Sequence, residues 1–140
     1  MRVHPKNGIT PRREDLEAAG IRILVSVPLE RTLPSTVFHN FWQIAKRGWE
    51  LFDGAIGRAD VNRNRAAEAL LDSNYTHLMM LDLDHLHVAD VVERHARWVL
   101  QYPERLVISG LHFRRGEPFD PCAFAFGLDG ELHPLAEWPQ

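Results

Sequence analysis

The chain has 140 residues, 45% of them hydrophobic and 25% charged, with a formal charge of −3 at pH 7; this is the size and balance of one globular domain with a single core. The slight negative charge argues against a general nucleic-acid binder, which presents a basic face, and Arg114-Arg115 is a local positive spot only. One cysteine, Cys122, excludes an internal disulfide and a Cys-rich metal site, no apolar run approaches the roughly 20 residues of a membrane span, and Met1 to Thr10 lacks the apolar core of a secretory signal, so a soluble, cytoplasmic protein is expected.

Thr10-Pro11 predicts a helix start, with threonine as cap and proline at the first helical position, and Gly20 ends that short helix. Ile21 to Val27 is a strand rich in β-branched residues and closed by Pro28. Pro34-Ser35 opens a second helix, in which Val37, Phe38, Phe41, Trp42 and Ile44-Ala45 recur at helical spacing until Gly48. Trp49 to Phe52 is a short strand and Gly54 to Gly57 a loop. A third helix runs from about Asp60 to Ser73, with Ala66, Ala67, Ala69, Leu70 and Leu71 on its buried side. The next strand, from His77, reads as buried on both faces. A fourth helix covers Val88 to Tyr102, with Val88, Val91, Val92, Ala96 and Val99 facing inward. Leu106 to Phe113 is another strand. The tail folds as a β-hairpin, Ala123 to Gly127 and a return strand, about the turn Leu128-Asp129-Gly130. Helix and strand alternate, which predicts an α/β fold: a largely parallel sheet with helices on both faces. A single domain over residues 1–140 is expected.

The most informative stretch is His77-Leu78-Met79-Met80-Leu81-Asp82-Leu83-Asp84-His85, an apolar run that ends in two carboxylates. Alternate residues of a strand share a face, so Asp82 and Asp84 converge on one ligand while Leu81 and Leu83 pack opposite. Mg²⁺ and Mn²⁺ favour carboxylate and water oxygens and often bridge to a substrate's phosphates. The plain alternative is two solvated aspartates at a strand end. His85 and His87 follow; with Asp84 they offer a transition-metal site, or they are simply polar loop residues.

Arg63-Asn64-Arg65 lies in the first turns of the third helix, where basic side chains and unpaired backbone N–H groups suit a diphosphate, or where arginines merely face solvent. The loop after Pro28, with Arg31, follows a strand's carboxyl end, a position suited to a nucleotide. It carries neither GxGxxG nor a Walker sequence, which disfavours Rossmann dinucleotide binding and P-loop chemistry. Ser109 to Gly116 contains His112 and two arginines within reach of a phosphate or sugar, or an exposed basic turn. Trp42, Trp49 and Trp98 read as packing residues rather than stacking platforms.

These pieces in this order resemble the nucleotide-sugar-binding half of a GT-A glycosyltransferase of the broad family 2-like group. The resemblance rests on the strand closing at Val27-Pro28, Arg63-Asn64 opening an alanine-rich helix, the DxD motif Leu81-Asp82-Leu83-Asp84, and Ser109 to Arg115 followed by Pro118 and Pro121. It implies a Rossmann-like nucleotide-sugar-binding fold and a UDP- or GDP-sugar donor with an unidentified acceptor. By the same resemblance Asp84 binds Mn²⁺ or Mg²⁺, Asp82 binds the ribose or shares the metal, Arg63 contacts the nucleotide or its diphosphate, and the loop from Pro28 borders the base. Domains of this family run longer than this chain, so the acceptor-binding half is expected to be short or absent. The catalytic base has no clear match; Asp120, Glu131 and Glu137 are candidates by position, with His112 or His133 in place of a missing ligand. Two other readings compete. One is a haloacid dehalogenase-like phosphatase with Asp82 as nucleophile, which lacks a downstream lysine because Lys6 and Lys46 both lie upstream. The other is a small non-catalytic α/β binding domain.

Overall fold

Strand β1, Ile23–Val27, has all five residues buried and forms the centre of a small parallel sheet. The structure is a computed structural model and describes residues 10–28, 31–53, 57–110, 124–126 and 128–134. These fall into two compact units, residues 1–105 and 106–140.

In the first unit β1 pairs on one side with β2, Leu51–Asp53, in the register Val25↔Leu51 to Val27↔Asp53. On its other side it pairs with β3, His77–Met80, from Ile23↔His77 to Ser26↔Met80. All pairs are parallel, in the order β2-β1-β3. The strand buried on both faces is therefore β1. In β3, expected to be so, His77, Leu78 and Met79 are only half-buried and Met80 is exposed, because β3 is an edge of the described sheet.

Helix α1, Arg13–Ala18, starts later than Thr10-Pro11 suggests: Arg12 is its cap, with its N–H donating to Asp15 Oδ2 at 3.0 Å. A local acceptor three residues on overrides the proline preference. Gly20 follows at φ +79°. Helix α2, Ser35–Ala45, buries Phe41 and Ile44 and leaves Phe38 and Trp42 half-exposed, stacked with ring centroids 6.1 Å apart. Its chain turns away at Gly48, φ +89°, whose carbonyl accepts a hydrogen bond from Arg13 Nη1. That same guanidinium lies over the ring of buried Trp49.

Helix α3, Ala59–Leu71, turns a narrow face inward: Asn62 and Ala66, one turn apart, are buried, and Ala67, Ala69 and Leu70 are half-buried. Leu71, expected inside, is 82% exposed and is the last residue of the helix. Helix α4, Val91–Gln101, buries Val91, Val92 and Ala96 as its spacing predicts, and also Glu93. Val88 precedes this helix and is exposed. At its start, Arg94 donates to Asp90 at 2.8 Å, which holds the Asp90 carboxyl below the usual aspartate range. The core joins Leu16, the β1 residues Ile23, Val25 and Val27, Phe41, Ile44, Trp49, Leu81, Val91, Val92 and Ala96.

In the second unit, Leu106 to Gly110 form no strand, against expectation, and Leu106 and Val107 are almost fully exposed. Their β preference finds no partner edge among the described residues, and unpaired it does not make a strand. The rest of that expected strand, 111–113, lies outside the described residues. Strands β4, Phe124–Phe126, and β5, Leu132–Pro134, pair antiparallel from Phe124↔Pro134 to Phe126↔Leu132. Between them Gly130 adopts φ +79° and Glu131 N–H donates to Asp129 Oδ1. The whole is a mixed α/β protein with a small three-stranded parallel sheet. No helix among the described residues is long and apolar enough to cross a membrane.

Candidate metal centre

The order β2-β1-β3 means that the chain leaves β1 toward one side and returns on the other. The carboxyl ends of β1 and β3 flank the point of reversal, where parallel α/β sheets bind ligands. Strand β3 ends at Met80, and one more backbone bond, Leu81 N–H to Ser26 O at 2.9 Å, ties the following residue to β1. The chain then turns at Leu83-Asp84. Asp82 and Asp84 thus lie on a turn and not on the strand itself. The alternation survives the turn: Leu81 is in the core and Leu83 packs against it, while both aspartates face solvent.

The turn brings Asp82, Asp84 and His85 together, with one ligand atom from each inside a span of 4.8 Å. Ligands at about 2.1–2.5 Å from one ion stand no more than roughly 4–5 Å apart, so this spacing makes the group a candidate for one cation. Two carboxylates and an imidazole are a donor set for a divalent ion. His85 Nδ1 lies 2.7 Å from Asp84 Oδ1. Asp82 Oδ1 accepts a hydrogen bond from Arg63 Nη2 of α3 at 2.9 Å, with both side chains about half exposed. Arg63, expected at a nucleotide or its diphosphate, is here the partner of Asp82. Its neighbour Asn64 is exposed, while Asn62, on the other side of Arg63, is buried with no partner for its Oδ1 among the described residues.

Two residues outside the aspartate motif organise the turn. His87 Nε2 lies 3.0 Å from the Asp82 carbonyl oxygen. Asn40 of α2 binds the His87 backbone twice, donating from Nδ2 to its carbonyl at 2.5 Å and accepting from its N–H at 2.8 Å. Nothing near Asn40 in the sequence announces this; the only signal is a carboxamide inside a helix, where it has no local backbone role.

Beside this centre, a cavity of about 250 Å³ lies at the carboxyl ends of β1 and β2. Its walls are mostly apolar, from Val27, Leu33, Phe38, Phe41, Trp42 and Phe52, with Asp53 as its acidic residue. Phe41 also packs on the His87 ring, centroids 5.8 Å apart, so the cavity and the turn share a wall. Of the other expected site residues, Pro28 is half-buried at the end of β1 and Arg31 is exposed in the loop beyond. His112, Asp120 and Glu137 lie outside the described residues, while Glu131 is exposed and His133 stands on β5, both in the second unit.

Compared with protein-family models, curated proteins and solved structures, the chain finds no match.

Proposed function

We propose that this chain is a metal-dependent glycosyltransferase domain of the GT-A kind that takes a sugar from a UDP- or GDP-sugar to an acceptor in the cytoplasm. The observation that carries this reading is the convergence of Asp82, Asp84 and His85 beside the carboxyl end of β1, where the strand order reverses. In this reading β2-β1-β3 is the nucleotide-binding part of a GT-A sheet, and β4 with β5 its C-terminal hairpin.

Asp82 and Asp84 hold Mn²⁺ or Mg²⁺, which when bound supplies Lewis-acid neutralisation of the diphosphate leaving group. Arg63 offers five N–H donors, of which one is given to Asp82. It can therefore hold that carboxylate and still donate to a phosphate oxygen. The apolar cavity beside the turn supports a planar base as the occupant of the β1–β2 side. Asp120 and His112 remain the candidates for acceptor activation.

Calorimetry with UDP and GDP, with and without Mn²⁺ or Mg²⁺, tests the reading. Metal-dependent nucleotide binding that is lost in Asp84→Ala supports it, and release of UDP or GDP from the matching nucleotide sugar supports turnover. Nucleotide binding without any turnover assigns a donor-binding domain instead. Absence of nucleotide binding with either ion overturns it.

A further inference from the structure

We infer that Asn40 is a positioning residue that sets the geometry of the acidic turn by clamping the backbone of His87, which makes His87 a brace and leaves His85 as the imidazole of the centre. This rests on the proposal that Asp82, Asp84 and His85 bind a divalent cation. Asn40 stands in the middle of α2, and the buried Phe41 and Ile44 fix how that helix sits on the core. Its carboxamide meets both backbone polar groups of His87, which is 47 residues away in sequence. A carboxamide presents a donor and an acceptor on adjacent atoms, whereas a carboxylate has no donor and an aliphatic chain has neither.

The second half of the brace is the His87 ring. With Nε2 protonated it donates to the Asp82 carbonyl at 3.0 Å, closing the turn from its last residue onto its first. Nε2 of the ring is thereby engaged by the backbone, and the ring lies tilted against Phe41, centroids 5.8 Å apart, and near the His85 ring at 6.3 Å. The closure opposes a real force, because Asp82 and Asp84 carry like charges that favour separation when no cation stands between them. Arg63 offsets part of that repulsion from α3, and Asn40 holds the backbone from α2.

Mn²⁺ binding followed by the electron paramagnetic resonance signal of the free ion, on wild type, Asn40→Leu, Asn40→Gln and His87→Phe, tests this. Asn40→Leu is expected to raise the Mn²⁺ dissociation constant about tenfold or more, the usual effect of removing a group that orients metal ligands. Asn40→Gln, which keeps the carboxamide on a longer stem, recovers part of the loss, and His87→Phe, which keeps the packing on Phe41, loses affinity as Asn40→Leu does. Hydrogen exchange on the metal-free proteins should show the His87 amide less protected in Asn40→Leu, with the β1 amides unchanged. If Asn40→Leu lowers the melting temperature yet binds Mn²⁺ as wild type does, the role is structural only and the inference is overturned while the proposed function stands. If Asn40→Leu does not fold, His87→Phe decides: wild-type affinity there overturns the inference. If wild type itself binds no Mn²⁺, the proposed metal centre fails and the inference falls with it.

Discussion

Arg63 on α3 and Asp82 after β3 are joined by an ion pair of 2.9 Å, across nineteen positions of sequence. The pair places a positive charge at the rim of an otherwise acidic group, so it acts in two directions. Toward a bare cation Arg63 is a competitor; toward an anionic ligand it is a partner.

Arg63→Ala should therefore split two affinities. Binding of free Mn²⁺ is expected to tighten, by no more than about fivefold because the pair is exposed and screened. Binding of UDP or GDP in the presence of metal is expected to weaken. Calorimetry of both ligands at low and high salt checks this; a loss of both affinities together would contradict it.

Glu93 is buried on α4, with one carboxylate oxygen 2.6 Å from Arg47 Nε and the other without a partner among the described residues. Removing only the cation leaves a buried charge uncompensated, whereas removing the charge itself leaves an apolar site. Arg47→Ala is expected to cost about 2 kcal/mol, less than a fully buried pair because Arg47 is partly exposed. Glu93→Met is expected to be within about 1 kcal/mol of wild type or more stable. Urea unfolding of the two variants gives the order.

Ile44 is fully buried on α2, in contact with the core that fixes the helix carrying Asn40. Ile44→Ala should cost about 3 kcal/mol through lost transfer energy and a residual cavity. Trp42→Ala, on the half-exposed cavity wall, should cost under about 1.5 kcal/mol. Thermal unfolding of both variants tests whether the core and the cavity wall differ as their burial requires.

Burial at the start of β3 holds the His77 imidazole below the ordinary histidine value of 6.5. The unfolded chain therefore takes up this proton first as pH falls, and favours unfolding. The associated stability is complete above pH 6.5 and is lost as pH drops through that value toward the lower folded one. His77→Gln should flatten the dependence of unfolding free energy on pH between 7 and 5. An unchanged slope, measured by urea titration, would remove His77 as its source.

Much of the chain was legible from local chemistry. The β-branched run at Ile23–Val27, the glycine stops at Gly20 and Gly48, and the inward spacing of Val91, Val92 and Ala96 each follow from neighbours a few positions away. The site was legible only as a list of donors. Alternation puts both aspartates on the solvent side, but β3 ends at Met80, and it is the turn beyond it that gathers the carboxylates with His85. Leu106 to Gly110 failed as a strand because propensity cannot supply a partner edge.

The sequence by itself determined the mixed α/β class, the inward residues Phe41, Ile44, Ala66, Val91, Val92 and Ala96 and the acidic stretch that ends an apolar run, because those are periodic or short-range properties of the chain. The tertiary structure alone decided that β1 and not β3 is central, that Arg63 meets Asp82, and that Asn40 clamps His87. Those relations join residues nineteen to forty-seven positions apart. They depend on which strand stands between which, and no local preference encodes that order.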